Sequence, residues 1–550
     1  MVVHEGTEFQ GLMSKRMPGY EDGEDLTRGV SLESYGDSNY TSNDDDSAGL
    51  LLSQQSSRQY EQPTTSLTRY ASLIHWRRLR SKTVRRLRRI GGRQGCLSMW
   101  LRRLYLLVCG FLCCLFAITV VVASFFPAYT RLPPNYQKLQ NHIKDGFKSG
   151  SANIHNEKIF IASSIFDPGG KLAGGDWADN VLKLIHLLGP DNVYLSIYEN
   201  DSGSKALDAL AALETRVPCN HTLVAEPHIP EEDLPHVTLY DGTKRVKRIA
   251  YLAEVRNRAL RPLKTAQIRF DKLLYLNDVM FKPIEASQLL FSTNAQADGR
   301  ADYRAACAVD FINPFKFYDT FATRDLDGFS MGVPFFPWFP AIGGDTTLDE
   351  ILSDSDAVRV KSCWGGMIAF DATFFQNWNN EAAGIRTAGN EGPENITAPY
   401  RFRAESDLWW DASECCLINA DIQNPNPRRP GIYMNPYVRV AYDSRTLSLL
   451  WLSRRFEKLY TPIHFIADLL VNLPDFNARR DEIPWHIVEE TIWKDDSTGS
   501  GQGSWQKVTR TAKHDGFCGR RALPVMKDHK DQLAPGERNW EFIEPPPTPD

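Results

Sequence analysis

The 550-residue sequence predicts one α/β domain with a largely parallel sheet, preceded by a single transmembrane helix. Two patterns support this prediction. From residue 154 onward, short apolar runs alternate with amphipathic segments, as strands and crossover helices do in a parallel sheet. Before them, residues 104–126 form a run of 23 residues without a charge, which is long enough for a helix to cross a bilayer.

The charge of the chain is unevenly distributed around this apolar run. Lys and Arg total 63 and Asp and Glu total 68, and this near balance excludes the basic excess of a nucleic-acid-binding protein. Basic residues are concentrated between Arg69 and Arg103, whereas residues 63–144 contain no acid. Because positive flanks resist translocation, the N-terminal side is expected in the cytosol and residues 127–550 in the lumen, a type II topology.

Composition divides the chain into six segments. They are a disordered cytosolic tail (1–75), a basic juxtamembrane segment (76–103), a signal anchor (104–126), a stem (127–153), a lumenal domain (154–475) and a partly disordered extension (476–550). The tail is rich in Ser, Gly, Asp and Gln and has few aliphatic residues, so it lacks the apolar surface that a folded core needs.

The first half of the lumenal domain predicts strands and helices in strict alternation. Strands are expected at 158–166, 193–199, 222–225 and 272–281, and helices at 176–188, 204–214 and 247–260. The second half is less regular. It predicts a strand at 304–312, a strand over 359–370 interrupted by two glycines, a helix at 405–418, and a mainly helical segment at 447–470 broken by Pro462.

Cysteines and glycosylation sequons are consistent with a lumenal location. Six of the 10 cysteines follow the apolar run, and an even six permits three disulfides in an oxidising compartment, with 15 possible pairings. Three Asn-x-Ser/Thr sequons also follow the run, at Asn200, Asn220 and Asn395, and each is a candidate for glycosylation.

The most informative polar residues follow the apolar strand at 272–276. Asn277 and Asp278 come directly after it, and ligands of open α/β sheets bind beyond the carboxyl ends of strands. Transferases that use nucleotide sugars often carry Asp-x-Asp at such a position, where a carboxylate and two phosphates share a divalent cation. Asn277-Asp278 is a reduced form of this motif. A polar turn that caps the strand is the alternative interpretation.

Two arginines on the preceding helix are candidates for contact with a diphosphate. The guanidinium of Arg256 offers a fork of donors that matches phosphate oxygens. Arg258 stands four residues after Glu254, so a surface ion pair explains it equally well.

Several motifs together resemble the fungal cryptococcal-type, capsule-associated α-1,3-mannosyltransferases of glycosyltransferase family 69. The motifs are Tyr198-Glu-Asn-Asp-Ser-Gly203, Leu276-Asn-Asp-Val279, Phe317-Tyr-Asp-Thr-Phe-Ala-Thr-Arg-Asp325, Lys361-Ser-Cys-Trp-Gly-Gly366 and Phe402-Arg-Ala-Glu-Ser-Asp407. They occur in order, and the resemblance covers roughly residues 155–475. It implies a GT-A-like nucleotide-sugar-binding domain in a Golgi membrane enzyme. It also implies GDP-mannose as donor, Mn²⁺ (or Mg²⁺) as cofactor, and α-1,3 transfer to a mannose-containing oligosaccharide or polysaccharide.

Carried onto this sequence, the resemblance assigns roles to individual residues. Asp278 is the metal-binding acid, with Asn277 beside it, and Glu405 and Asp407 face the sugar and the acceptor. Gly365 and Gly366 let the backbone approach the donor, although a β-bulge also explains them.

Weaker candidates complete the set. Asp325 begins a literal Asp-x-Asp with Asp327 and follows Arg324, but a polar stretch precedes it, so it ranks below Asp278 as a metal ligand. His514 is a further candidate for the metal shell.

An α-linked donor and an α-linked product require retention of configuration. Either a carboxylate nucleophile, Glu405 or Asp407, attacks the anomeric carbon, or the acceptor attacks from the front face. Three other classes share part of the evidence: a transferase that uses another nucleotide sugar such as UDP-xylose, a non-catalytic lumenal glycan-binding protein, and a glycoside hydrolase with paired carboxylates.

Overall fold

The computed structural model describes residues 95–146, 148–227, 229–331, 335–336, 339, 345–376, 399–423, 431–471, 477–495, 503–527 and 538–546. The predicted cytosolic tail, most of the basic juxtamembrane segment and the sequon at Asn395 lie outside these residues.

Eleven α-helices are formed by the described residues. They are α1 (Gly95–Phe125), α2 (Pro134–Gly146), α3 (Asp176–Leu188), α4 (Ser204–Glu214), α5 (Arg248–Ala259), α6 (Pro262–Thr265), α7 (Pro283–Ser292), α8 (Asp345–Leu352), α9 (Glu414–Gln423), α10 (Ser444–Ser453) and α11 (Glu457–Val471). Helix α1 contains one segment, Trp100–Phe125, that is long and apolar enough to cross a membrane.

Seventeen strands are formed by the same residues. They are β1 (Ile159–Ile165), β2 (Val193–Asn200), β3 (Asn220–Glu226), β4 (His236–Thr238), β5 (Lys244–Val246), β6 (Lys272–Leu276), β7 (Ala305–Asn313), β8 (Lys316–Phe317), β9 (Val358–Val360), β10 (Met367–Asp371), β11 (Asp411–Ala412), β12 (Ile432–Ala441), β13 (Ile487–Asp495), β14 (Gly503–Thr511), β15 (Gly519–Arg520), β16 (Pro524–Met526) and β17 (Trp540–Phe542).

The central sheet has the strand order β3-β2-β1-β6-β10-β7-β12-β9, with β8 paired to β7. Strands β3, β2, β1, β6, β7 and β12 run in one direction, and β10 is inserted antiparallel between β6 and β7. The sheet is thus mostly parallel, with one antiparallel strand near its middle. The predicted fold class, an α/β domain preceded by one apolar helix, is confirmed.

Strands in the middle of the sheet are buried on both faces, which explains why their sequences are apolar without alternation. Every residue of β1 and β6 is buried. In β6, Leu273 and Tyr275 join the core on one face, whereas Leu274 and Leu276 join the core on the other face. The sheet therefore holds the residues after β6 in a fixed position.

The predicted helix at 405–418 is wrong in its start, because α9 begins only at Glu414. The side-chain amine of Lys247 donates hydrogen bonds to the backbone carbonyls of Glu405 (3.1 Å), Asp407 (2.8 Å) and Trp410 (2.9 Å). These carbonyls are thereby tied to a distant side chain. Ser413 then caps the helix, since its hydroxyl accepts from the backbone N–H of Cys415.

Two further predictions about the second half are corrected. The strand predicted over 359–370 is two separate strands, β9 and β10, because the chain turns at Gly365 and Gly366. Pro462 does not break a helix, since α11 continues through it. Pro462 removes a single backbone donor, that to the carbonyl of residue 458, and the rest of α11 stays helical.

The segment predicted to be a stem is packed against the domain. The hydroxyl of Tyr129 donates to the carbonyl of Ile351 at 2.8 Å, and Asn435 donates to the hydroxyl of Tyr136 at 2.6 Å. Both tyrosines are fully buried. The domain therefore begins almost directly after α1.

The C-terminal extension is also attached to the domain in its described parts. A disulfide joins Cys416 of α9 to Cys518, and a second joins Cys307 of β7 to Cys363. Cys219 and Cys415 carry no disulfide, so the six cysteines after α1 form two of the three possible bonds. The region beyond residue 475 thus contributes structure to the same domain.

Removal of the Cys416–Cys518 disulfide is expected to destabilise the protein. The double variant Cys416→Ala/Cys518→Ala leaves no new thiol, and its free energy of unfolding should fall by about 2–4 kcal/mol because the bond constrains a long loop of the unfolded chain. Denaturant titration of the full-length protein in detergent measures the change. Cys219→Ala removes an unbonded cysteine and is the matched control; an equal loss in both variants would contradict the prediction.

Candidate functional site

The carboxyl ends of three parallel strands bring polar side chains to one edge of the sheet. Asp167 follows β1, Glu199 lies near the end of β2, and Asn277-Asp278 follow β6. Burial raises the pKa of both Glu199 and Asp278, and the charge of Asp167 adds to each increase. This is the edge at which ligands of α/β sheets bind.

The turn at Asn277 is held by three other parts of the fold. Its backbone N–H donates to the carbonyl of Gly366 (2.9 Å), and its own carbonyl accepts from the indole of Trp177 (3.0 Å). The side-chain oxygen accepts from the guanidinium of Arg256 at 3.0 Å. Asn277 is fully buried. It therefore fixes the turn that presents Asp278.

Asp278 is half-buried, and its Oδ1 is a buried atom without a hydrogen-bond partner among the described residues. Burial raises the pKa of Asp278 to about 6, and Asp167 adds to this effect, whereas the Asp278 backbone N–H and Arg256 oppose it. A buried acceptor without a donor is costly unless something outside the chain completes it. The site thus contains an acceptor atom that the described protein leaves unsatisfied.

Arg256 supports this turn from inside the protein. Only 1% of Arg256 is exposed, and its Nε donates to Glu414 at 2.9 Å while its charge lies 4.4 Å from the centre of the Trp364 ring. These contacts differ from the predicted one, in which Arg256 binds a diphosphate. Its described partners are Glu414, Asn277 and aromatic rings, so it acts on the site by positioning Asn277.

Gly365 and Gly366 form the turn that contacts Asn277. Both have positive φ angles, 57° and 63°, which favour glycine. A Cβ at Gly365 would overlap the carbonyl oxygen of Ala308, and a Cβ at Gly366 would lie 2.7 Å from Val279. The glycines are therefore required for backbone packing beside the Asp278 turn. Their contact with a donor remains a prediction.

Glu414 belongs to this region because it binds Arg256, and Asp411 precedes it by three residues; neither is among the predicted site residues. Asp411 is 1% exposed, and neither carboxylate oxygen has a hydrogen-bond partner among the described residues. Burial raises the pKa of Asp411 to about 6, against the opposing charges of Lys247, Arg520 and Arg248. The one signal in the sequence is an acid directly after two tryptophans, and the incorrect helix at 405–418 concealed it.

Glu405 and Asp407 are both ion-paired. Arg403 and Lys513 bind the two oxygens of Glu405 at 3.0 and 3.2 Å, and its side chain is 2% exposed. Arg479 binds Asp407 at 2.7 Å, and 34% of the Asp407 side chain stays exposed. Burial raises the pKa of Glu405. For Asp407, burial acts in the same direction but Arg479 outweighs it and lowers the pKa.

His514 lies in a cluster with Asp421 and Asp515, whose potential ligand atoms are within 4.8 Å of one another. The ring of His514 bonds to Asp421 at 2.8 Å. One guanidinium, that of Arg403, binds both Asp421 (2.8 Å) and Asp515 (2.5 Å). A metal ion at this cluster would have to compete with Arg403 for the same oxygens. The described contacts of the cluster are those of an ion-pair network.

The structure gives Arg324 and Asp325 structural contacts. Arg324 is buried and donates to the carbonyls of Phe517 (3.0 Å) and Cys518 (3.1 Å), which attaches the extension to the domain. Asp325 Oδ1 accepts from the backbone N–H groups of Asp327 (3.0 Å) and Phe329 (2.7 Å). The literal Asp-x-Asp is therefore a tight turn in which one oxygen of the first acid bonds to the backbone, while the other, Oδ2, is buried without a hydrogen-bond partner among the described residues.

The two described sequons differ in accessibility. The side-chain nitrogen of Asn200 donates to the carbonyl of Pro227 at 3.0 Å, its oxygen accepts from Tyr251 at 2.6 Å, and the residue is 5% exposed. A glycan has no room there, so the prediction of glycosylation at Asn200 is wrong. Asn220 is exposed at the start of β3 and stays a candidate.

Comparison with known families gives one match. Residues 158–421 match the family model described as Cryptococcal mannosyltransferase 1. The matched stretch begins just before β1 and ends in α9, so it includes Asp278, both glycines and Glu414. The match supports glycosyl transfer by a mannosyltransferase. None of the curated proteins compared with the chain matches it.

Two solved structures are similar to the chain at a low level. One is mannosyltransferase PcManGT from Pyrobaculum calidifontis in complex with GDP-Man and Mn²⁺, with 10% identity over 66% of this chain and 86% of that one, at a TM-score of 0.29. The other is mannosyl-3-phosphoglycerate synthase from Rubrobacter xylanophilus, with 11% identity over 70% of this chain and 95% of that one, at a TM-score of 0.25. At these scores the likeness carries no argument about function.

Replacing Asp411 is expected to stabilise the protein in a pH-dependent manner. The folded-state pKa of about 6 is raised above the usual 3.8, so the proton binds more tightly to the folded state and the wild type loses stability as pH rises from about 4 through 6. The penalty at pH 7 is about 3 kcal/mol. Asp411→Asn should therefore be more stable than the wild type at pH 7 and similar to it at pH 4.

Denaturant titrations at several pH values measure this difference. Asp327→Asn removes a carboxylate from an exposed position and should leave stability unchanged within about 0.5 kcal/mol. If the difference in unfolding free energy between Asp411→Asn and the wild type is the same at pH 4 and pH 7, the prediction is wrong. The neighbouring cations would then compensate the charge of Asp411 fully.

Proposed function

We propose that this chain is a metal-dependent mannosyltransferase that transfers mannose from GDP-mannose to a mannose-containing oligosaccharide or polysaccharide, with an α-1,3 linkage and retention of configuration. The observation that carries the proposal is the unsatisfied Oδ1 of Asp278 at the carboxyl end of β6. It lies inside the stretch that matches the mannosyltransferase family.

The residues at this edge fit a hard divalent cation. Mn²⁺ or Mg²⁺ bound with a nucleoside diphosphate needs one or two carboxylate ligands, because phosphate oxygens and water supply the others. Asp278 Oδ1 is available for this, and Glu199 Oε1 is a second buried oxygen without a hydrogen-bond partner among the described residues. The cation would neutralise the charge that develops on the departing GDP. His514 fits this role less well, since Arg403 occupies the oxygens of its neighbours.

Residues of the chain position these groups. Asp167 accepts hydrogen bonds from the backbone N–H groups of Lys171, Leu172 and Ala173 and so holds the loop after β1. Arg256, fixed by Glu414, holds Asn277 in place. The edge is thus preorganised before any ligand binds, which reduces the cost of ordering it.

Asp407 is the better of the two predicted carboxylates for a role near the acceptor. Arg479 keeps it ionised, and about a third of its side chain is accessible. Glu405 is buried with both oxygens bound to cations, so it would have to break two ion pairs before acting as a nucleophile. We therefore assign the acceptor side to Asp407 and a positioning role to Glu405.

A secretory compartment, with α1 as a type II anchor and the enzyme in the Golgi, is part of the proposal. Helix α1 has membrane length, and basic residues precede it. Two disulfides in the domain fit an oxidising lumen.

Asp278→Asn is expected to reduce mannose transfer at least about 100-fold, because a neutral amide cannot hold the cation as a carboxylate does. A radiolabelled donor panel (GDP-mannose, UDP-xylose, UDP-glucose) with mannose oligosaccharides and Mn²⁺ or EDTA measures the loss. Asp327→Asn, which changes the second acid of the literal Asp-x-Asp, is the matched control and should retain activity.

The panel also discriminates among the alternatives. If sugar is transferred only from UDP-xylose, UDP-xylose is the donor. If sugar is released without any nucleotide donor, the protein is a hydrolase. Normal transfer by Asp278→Asn, or no transfer from any donor by the folded wild type, would contradict the proposal.

A further inference from the structure

Helices α10 and α11 expose apolar side chains that a lumenal domain normally buries. Trp451 is 58% exposed and Leu470 is 78% exposed. The other large apolar side chains exposed on the two helices are Leu449, Leu452, Ile463, Phe465, Ile466 and Leu469. Large apolar side chains exposed in such number on two consecutive helices mark an interaction site. We call these eight side chains the α10–α11 face.

The polarity of α11 is inverted relative to that of an ordinary surface helix. Its polar residues His464 and Asp468 point into the protein, where they form a 3.3 Å pair with side chains only 4% and 7% exposed. A surface helix in water places its apolar stripe toward the core instead. Between residues 459 and 470 the sequence contains no charged residue besides this pair. The outward side of α11 is therefore apolar without a charge.

The α10–α11 face adjoins the helix of membrane length. Helix α1 contacts both α11 and the short turn Arg454–Phe456 that joins α10 to α11. Only Phe126 and Pro127 separate the end of α1 from Ala128 and Tyr129, which are 1% exposed. The chain between α1 and the domain is thus too short to let the two move far apart.

A hydrogen bond fastens this junction. Arg454 donates to the backbone carbonyl of Tyr129 at 3.0 Å, and the ring of Tyr129 packs edge-on against Tyr437 with centroids 4.9 Å apart. If α1 crosses the bilayer, the domain is held at the membrane surface next to the point where α1 emerges. Any apolar surface beside that point meets lipid.

We propose that the α10–α11 face docks into the interfacial region of the same bilayer that α1 spans. The occupant is lipid, because the face adjoins α1, its α11 part is uncharged on the outer side, and it carries a tryptophan, which is favoured at membrane interfaces. The domain is then attached at two places, and its orientation relative to the membrane is fixed. This inference requires α1 to be transmembrane and is independent of the sugar donor.

Photolabelling of the full-length protein in phosphatidylcholine nanodiscs tests the inference. A diazirine on the lipid near the headgroup, read out by peptide mass spectrometry, should label peptides from 444–471 as well as from 100–126. Leu207 of α4 is a similarly exposed leucine away from this face, and its peptide should stay unlabelled. Leu469→Asn/Leu470→Asn should reduce the labelling of 457–471 severalfold, whereas Leu207→Asn should not.

Each other outcome overturns the inference. Label in 100–126 but not in 444–471 would leave the anchor and remove the second attachment. No label in either region would remove the transmembrane anchor as well. If peptides from 444–471 stay unlabelled and each nanodisc contains two copies of the protein, the face binds a second copy of the chain. The donor panel reports on sugar transfer separately, so failure of one proposal does not decide the other.

Discussion

A single buried cation, Arg256, organises the edge of the sheet on which the proposed chemistry depends. It joins α5, the turn after β6 and the start of α9 through Asn277 and Glu414. A guanidinium at this depth is tolerated because a carboxylate pairs with it, and loss of the partner from such a pair typically costs about 3–5 kcal/mol. The aromatic rings around it exclude water and keep that interaction strong. The conformation of the turn at Asp278 is therefore a consequence of packing.

The environment of Asp278 is set both by its backbone contacts and by its burial. Asn277 and Gly366 align the backbone, and the surrounding burial leaves one oxygen of Asp278 without a protein donor. Elsewhere in the domain, acids such as Asp421 and Glu405 have their charge compensated by arginine and lysine. Other described acids, among them Glu199, Asp325 and Asp411, also have a buried oxygen without a hydrogen-bond partner among the described residues. Asp278 and Glu199 differ from Asp325 and Asp411 in their position at the carboxyl ends of β6 and β2, the edge at which ligands of α/β sheets bind.

The sequence predicted the fold class and the elements of the first half of the domain, because buried strands and amphipathic helices have clear periodicities there. It also placed Asn277 and Asp278 at the end of a strand. It could not predict the contacts of Arg256, since Glu414 lies 158 residues away and the pairing arises only from the fold. It misplaced the helix near residue 405 because the bonds of Lys247 are equally remote. It could not predict the burial of Asn200, because the glycosylation motif specifies three residues and says nothing about their surroundings.

The central claim is that Asp278 couples a divalent cation to a nucleoside diphosphate. Calorimetric titration of GDP into the wild type and into Asp278→Asn, each with and without Mn²⁺, measures this coupling directly. The account predicts that Mn²⁺ tightens GDP binding to the wild type by about tenfold or more and has little effect on the variant. An equal Mn²⁺ effect on both proteins would contradict it.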